Sequence, residues 1–124
     1  MTWLLYTSAT GRATVAKELG KLKLNRAERT AIKDVQDRYD RDELLNHQLE
    51  SMKGGLYALR VSLDTAALRT YFVPIGDDRV ILKVIRKKTE TVPPSVTEAC
   101  RRRQRDWLER HPRPDNPPRL GRSG

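Results

Sequence analysis

The spacing of apolar positions changes once along this chain, near Leu56, from a helical period to a period of two. Before that point, Trp3 to Tyr6 forms a short apolar run that predicts a first strand. Val15, Ala16 and Leu19 then share one helical face, with Thr10 or Thr14 as cap and Gly20 as stop. Asn25 caps a second helix, and Glu28 lies three residues on, the capping-box spacing. Leu24, Ala27, Ala31, Ile32, Val35 and Tyr39 trace its apolar stripe. Beyond Leu56 the residues alternate. Tyr57, Leu59, Val61 and Leu63 share one strand face, and Leu56, Ala58, Arg60 and Ser62 the other. Asp64-Thr65-Ala66 makes a turn, Leu68 to Val73 a strand, Gly76-Asp77-Asp78 a second turn, and Arg79 to Arg86 a further strand. Short turns between consecutive strands predict an antiparallel meander. Pro93-Pro94 ends it and opens a last helix, where Ser95 and Glu98 have capping-box spacing and Val96, Cys100 and Trp107 mark the buried stripe.

The predicted order is therefore β-α-α-β-β-β-α. This is an α+β domain with an antiparallel sheet, an N-terminal helical hairpin and a C-terminal helix. Residues 1–110 make one domain. Residues 111–124, rich in Pro and Arg, predict a disordered tail.

Composition narrows the partners. The formal net charge of +9 over 124 residues favours a polyanion such as nucleic acid, with simple solubility as the plainer alternative. The excess is uneven. Residues 86–124 carry eleven Lys/Arg against five Asp/Glu, whereas residues 34–50 hold six acids against Arg38 and Arg41. A polyanion is thus expected at the strand and C-terminal face. Cys100 is the one cysteine, so no internal disulfide forms, and a free thiol suits the reducing cytoplasm. The apolar start is too short for a signal peptide, and no stretch reaches membrane-spanning length.

The chemistry centres on cations set among strand residues: Lys53, Arg60, Arg69, Arg86, Lys87 and Lys88. A guanidinium fork matches phosphate oxygens. A lysine among like charges loses its proton more readily and becomes a general base. RNA brings its own nucleophile, the 2′-hydroxyl, so such a surface has the parts for cleavage without a metal. The plainer reading pairs Arg60 with Asp64 and leaves Lys87-Lys88 as a solvated strand end. No nucleotide loop or metal cluster is legible. Gly54-Gly55 lacks the spacing of a phosphate loop, and His47 and His111 lie far apart, His47 as a solvated surface residue and His111 as an inert one beside a proline of the tail.

Lys53-Gly54-Gly55-Leu56-Tyr57-Ala58-Leu59-Arg60 resembles the RelE/ParE superfamily of toxins. Leu68-Arg69-Thr70-Tyr71-Phe72-Val73 and Arg86-Lys87-Lys88-Thr89-Glu90-Thr91-Val92-Pro93 narrow the resemblance to the HigB-type, phage-derived branch. It covers about residues 50–100 and implies a RelE-like fold. It also implies the toxin of a type II toxin-antitoxin system: a ribosome-dependent endoribonuclease (mRNA interferase) that needs no cofactor. The implied partners are a helix-turn-helix antitoxin, the ribosome and mRNA. By the resemblance, Arg60 stabilises the transition state, Lys53 lies near the RNA backbone, and Lys87 and Lys88 match a basic pair ending the fourth strand. With lysine chemistry standing in for the general base and acid, Arg60, Lys53, Lys87 and Lys88 are the expected catalytic residues. Arg69, Arg86 and Tyr57 meet RNA, and Arg102 and Arg103 of the last helix suit ribosomal RNA. Relatives place a His or an aromatic late in the chain, but here Val84-Ile85-Arg86 stands there and no His or Tyr follows in Thr89 to Cys100. That departure keeps open a non-catalytic toxin that inhibits DNA gyrase on the same fold. A basic RNA- or DNA-binding accessory protein is the third reading.

Overall fold

The computed structural model describes residues 2–64, 66–87 and 92–111. Its elements are β1 (Thr2–Leu5), α1 (Thr14–Leu22), α2 (Arg26–Asp40), β2 (Leu49–Ser51), β3 (Tyr57–Ser62), β4 (Ala67–Ile75), β5 (Asp78–Lys87) and α3 (Pro94–Arg110). A single 3₁₀ turn, Asn46–Gln48, precedes β2. The result is an α+β fold with one five-stranded sheet in the order β1-β5-β4-β3-β2.

Two features of the sheet differ from expectation. β1 pairs with β5 in parallel, so the sheet is mixed and only β2 to β5 form an antiparallel meander. Parallel neighbours need a long crossover, and here more than seventy residues separate the two strands, beyond the reach of turn-based reasoning. β2 is an added strand of three residues, too short for alternation to register.

Helix ends follow local chemistry unevenly. Asn25 and Glu28 form the expected capping box, each side chain bonding the other's backbone N–H at 2.8 and 2.9 Å. The other caps differ. Ala13, not Thr10 or Thr14, stands at the start of α1 with no side-chain bond. That helix runs past Gly20 to Leu22 and ends on left-handed Lys23. Pro93 and Pro94 open α3 without the Ser95–Glu98 box, because the helix starts at Pro94 and Ser95 falls inside its first turn. On α2, Glu28 rather than Ala27 is buried in the first turn.

Cross-strand register assigns the two sheet faces. One carries Tyr57, Leu59, Val61, Leu68, Thr70, Phe72, Val84 and Arg86. α2 covers it: Tyr39 packs edge-on against Phe72 and Trp3, and Glu28 reaches Arg86. The other face carries Glu50, Ala58, Arg60, Arg69, Tyr71, Lys83, Ile85 and Lys87. At this face's middle, Tyr71 lies fully buried, with Val96, Ala99 and Cys100 of α3 also in the core. A bulge opens where Tyr71 pairs Lys83 and Phe72 pairs Ile81, leaving Leu82 unmatched. The Leu82 carbonyl is satisfied by Arg103 from α3 at 2.8 Å. Among the described residues, no helix is long and apolar enough to cross a membrane.

Candidate nucleic-acid interface

The site is built on the face opposite α2. Three successive cross-strand rows run over it: Ser62–Ala67–Lys87, then Arg60–Arg69–Ile85, then Glu50–Ala58–Tyr71–Lys83. Arg60 and Arg69 therefore stand side by side across one strand pair, and Lys87 lies one row on. Like charges placed opposite each other repel, so the arrangement costs stability unless something offsets it. Glu50 offsets it. Its Oε1 accepts a hydrogen bond from Arg69 Nη1 at 3.1 Å and lies 3.9 Å from Arg60 Nη1. One carboxylate thus serves two guanidiniums, and the trio keeps a positive charge. Arg69 is fixed, with its side chain 12% exposed, while Arg60 at 44% is open to a ligand.

Beside Arg69, the Tyr71 hydroxyl is buried and lacks a hydrogen bond of full geometric quality among the described residues. Burial pushes its phenol above the ordinary value, and the Arg69 guanidinium pulls the other way.

Lys53 sits on the β2–β3 loop, where Lys53, Gly54 and Gly55 all have positive φ (68°, 64° and 82°). A lysine pays about 1 to 2 kcal/mol for that conformation. α3 holds the loop in place. Arg101 donates to the carbonyls of Met52 and Lys53, and Gln104 donates to that of Gly54 at 2.7 Å. The Lys53 side chain stays exposed.

Other expected residues lie elsewhere. Arg86 is on the α2 face, where Glu28 binds it through two hydrogen bonds of 2.8 and 2.9 Å. The Arg86 guanidinium in turn holds the Glu28 carboxyl down at about 2. Arg103 is bound by both oxygens of Glu18 and by the Leu82 carbonyl, so it ties α1, α3 and β5 together. Tyr57 is on the α2 face against Phe72, with ring centroids 5.9 Å apart. Arg102 is exposed on α3 and makes no ion pair among the described residues. Lys88 and the tail from residue 112 lie outside the described residues. Arg60 pairs with Glu50 and not with Asp64.

Sequence reasoning missed Glu50, Arg101 and Gln104. Glu50 lies in a strand without alternation, at the end of an acidic segment set aside as unfavourable to polyanions. Arg101 and Gln104 do carry a signal, being three apart on the helix and flanking the buried Cys100 stripe. His47, expected to be solvated, is exposed, and it lines a groove of about 290 Å³ with Arg60, Val61 and Ser62 at the β3 edge.

Cys100 is fully buried, and burial raises its thiol to about 11, so it is inert at neutral pH. Among the described residues, no group of three or more His, Cys, Asp or Glu is arranged to hold a metal ion. No protein-family model matches this chain, and no curated protein matches it in sequence.

Proposed function

We propose that this chain is a HigB-type toxin of a toxin-antitoxin pair, an endoribonuclease that cuts mRNA on the ribosome. One observation carries the reading. Arg60 and Arg69 converge on one sheet face, share a single counter-charge, and leave Arg60 open, with Lys87 one row away toward one end of β3 and exposed Lys53 on the loop at its other end. Such a group fits a ribose-phosphate linkage whose charge grows during reaction. The resemblance of residues 50–100 to that toxin branch supports the same conclusion, as does the α+β architecture with two helices before the meander and one after it.

In the proposed reaction, the ribose 2′-oxygen bonds to the adjacent phosphorus and the bond to the 5′-oxygen breaks. The products are a 2′,3′-cyclic phosphate and a 5′-hydroxyl. Arg60 and Arg69 neutralise the phosphorane oxygens. The 2′-hydroxyl proton needs an acceptor with a free lone pair, which a carboxylate has and an ammonium lacks. Glu50 fills that role within the cluster. Lys53 or Lys87, as an ammonium, delivers a proton to the leaving 5′-oxygen. Arg86 and Arg103 drop out of the RNA-contacting set because carboxylates hold both within the fold.

The partners that follow are the ribosome with its mRNA, and an antitoxin that is acidic where it covers this face. A cytoplasmic location follows from the ribosomal target. The test is a reconstituted translation reaction with mapped mRNA 5′ ends. Codon-phased cuts bearing 5′-hydroxyls support the proposal. Intact mRNA together with blocked gyrase supercoiling replaces it with the gyrase-inhibitor reading, and harmless, salt-sensitive RNA binding replaces it with the accessory-protein reading.

A further inference from the structure

The α1–α2 elbow carries a second cationic surface, away from Arg60 and Arg69. Residues 12–33 hold seven Lys/Arg and only two acids, Glu18 and Glu28. Both acids are turned inward. Glu18 is taken by Arg103 and Lys83, and Glu28 by Arg86 and the α2 cap. The outer surface of the elbow is thereby left with Lys17, Lys21, Lys23, Arg26 and Arg29. All are exposed, and none is in an ion pair among the described residues. The elbow is a fixed shape. Lys23 is the left-handed residue ending α1, Asn25 caps α2, and Arg29 Nη1 donates to the Leu24 carbonyl at 2.5 Å. The outward charge thus exists because the fold consumes its counter-charges internally.

We propose that this elbow is a docking surface for the phosphate backbone of double-helical RNA. Three observations select that partner. Large apolar side chains exposed among the described residues are Leu5, Leu45 and Leu108, none on the elbow, so the surface lacks the apolar centre of a protein interface. The one aromatic of α1 and α2, Tyr39, is packed against Phe72 and Trp3 at the far end of α2, so the elbow has no stacking platform for single strands. Cations without base-reading or stacking partners match phosphates and read no sequence. Lys17 and Lys21 lie one helical turn apart, about 6 Å along the axis, which places them over phosphates one or two apart on a strand. The choice of RNA over DNA rests on the proposed function. The site itself rests on the charge geometry alone.

The test measures binding of a labelled RNA duplex of about 16 base pairs by anisotropy over a salt series. The parent is Arg60→Ala, so that cleavage does not interfere, and it is compared with the same protein carrying K17Q, K21Q, K23N and R26Q. The expected result is an affinity loss of about tenfold or more and a salt slope smaller by about three, near 0.9 for each lost phosphate contact. Should the multiple variant melt below its parent, Lys21→Glu alone, at an exposed helical position, reads the same loss in smaller measure. Unchanged affinity and slope would overturn the proposal. So would tighter binding of a DNA duplex than of the RNA, or displacement of the RNA by polyglutamate at equal charge. Cleavage by the wild-type chain is read separately, so a failure of the elbow leaves the catalytic reading intact, and the reverse also holds.

Discussion

Arg60 and Arg69 face each other directly across β3 and β4, and the carboxylate of Glu50 holds both. Two guanidiniums in that position are a cost to the fold that a Val or Thr pair would avoid. Retaining them makes sense where a ligand supplies the missing negative charge.

Replacing Glu50 by Gln separates binding from chemistry. The fold is expected to lose about 1 to 2 kcal/mol, between the values for exposed and buried pairs, because Arg69 keeps only a neutral partner. RNA affinity should hold or rise, since the cluster gains a net positive charge. Single-turnover cleavage should fall about 100-fold or more, the usual loss when a general base is removed. Thermal unfolding, anisotropy and a cleavage time course read the three effects. Undiminished cleavage would move the proton acceptor to a lysine.

A side chain at Gly54 is expected to be strained. Its φ is +64°, and an added Cβ would sit 3.0 Å from Arg101 Nη1. Gly54→Ala should cost about 1 to 2 kcal/mol from backbone strain alone. It should also loosen the Arg101 and Gln104 anchors that fix Lys53. Urea unfolding checks the first effect, and cleavage at matched folded fraction checks the second.

Acid should weaken the link between α2 and β5. Arg86 and the Asn25 N–H lower the Glu28 carboxyl from 4.5 to about 2. A group whose folded value is depressed stabilises the fold fully above its unfolded value. That contribution is lost as pH falls from about 4.5 toward 2, and Glu28→Gln should remove this part of the acid sensitivity. Unfolding midpoints of both proteins between pH 2 and 6 test it. Parallel curves would mean that other carboxylates carry the effect.

The legible part of this molecule was its local chemistry. The capping box at Asn25, the alternation through β3 to β5 and the proline start of α3 all follow from residues within a few positions of each other. The parallel pairing of β1 with β5 was not legible, because register between distant strands leaves no short-range mark. The site divides the same way. Arg60, Arg69 and Lys87 share a face because strand parity and tight turns dictate it. Arg86, one residue from Lys87, falls on the opposite face by that same parity, and Glu28 then claims it. Arg103 reads as a surface cation until the Leu82 bulge leaves a carbonyl that needs a donor. Glu50 was hidden because its strand is three residues long and its charge sign argued against it.

If the Arg60-centred cluster cleaves RNA, mapping mRNA 5′ ends in a translating extract will show it. Wild type and Arg60→Ala are compared after confirming that their unfolding curves coincide, as expected from the exposure of Arg60. New 5′-hydroxyl ends should form with wild type and none with Arg60→Ala. Equal cutting by both proteins, or intact mRNA with wild type on actively translating ribosomes, would rule out RNA cleavage by this cluster.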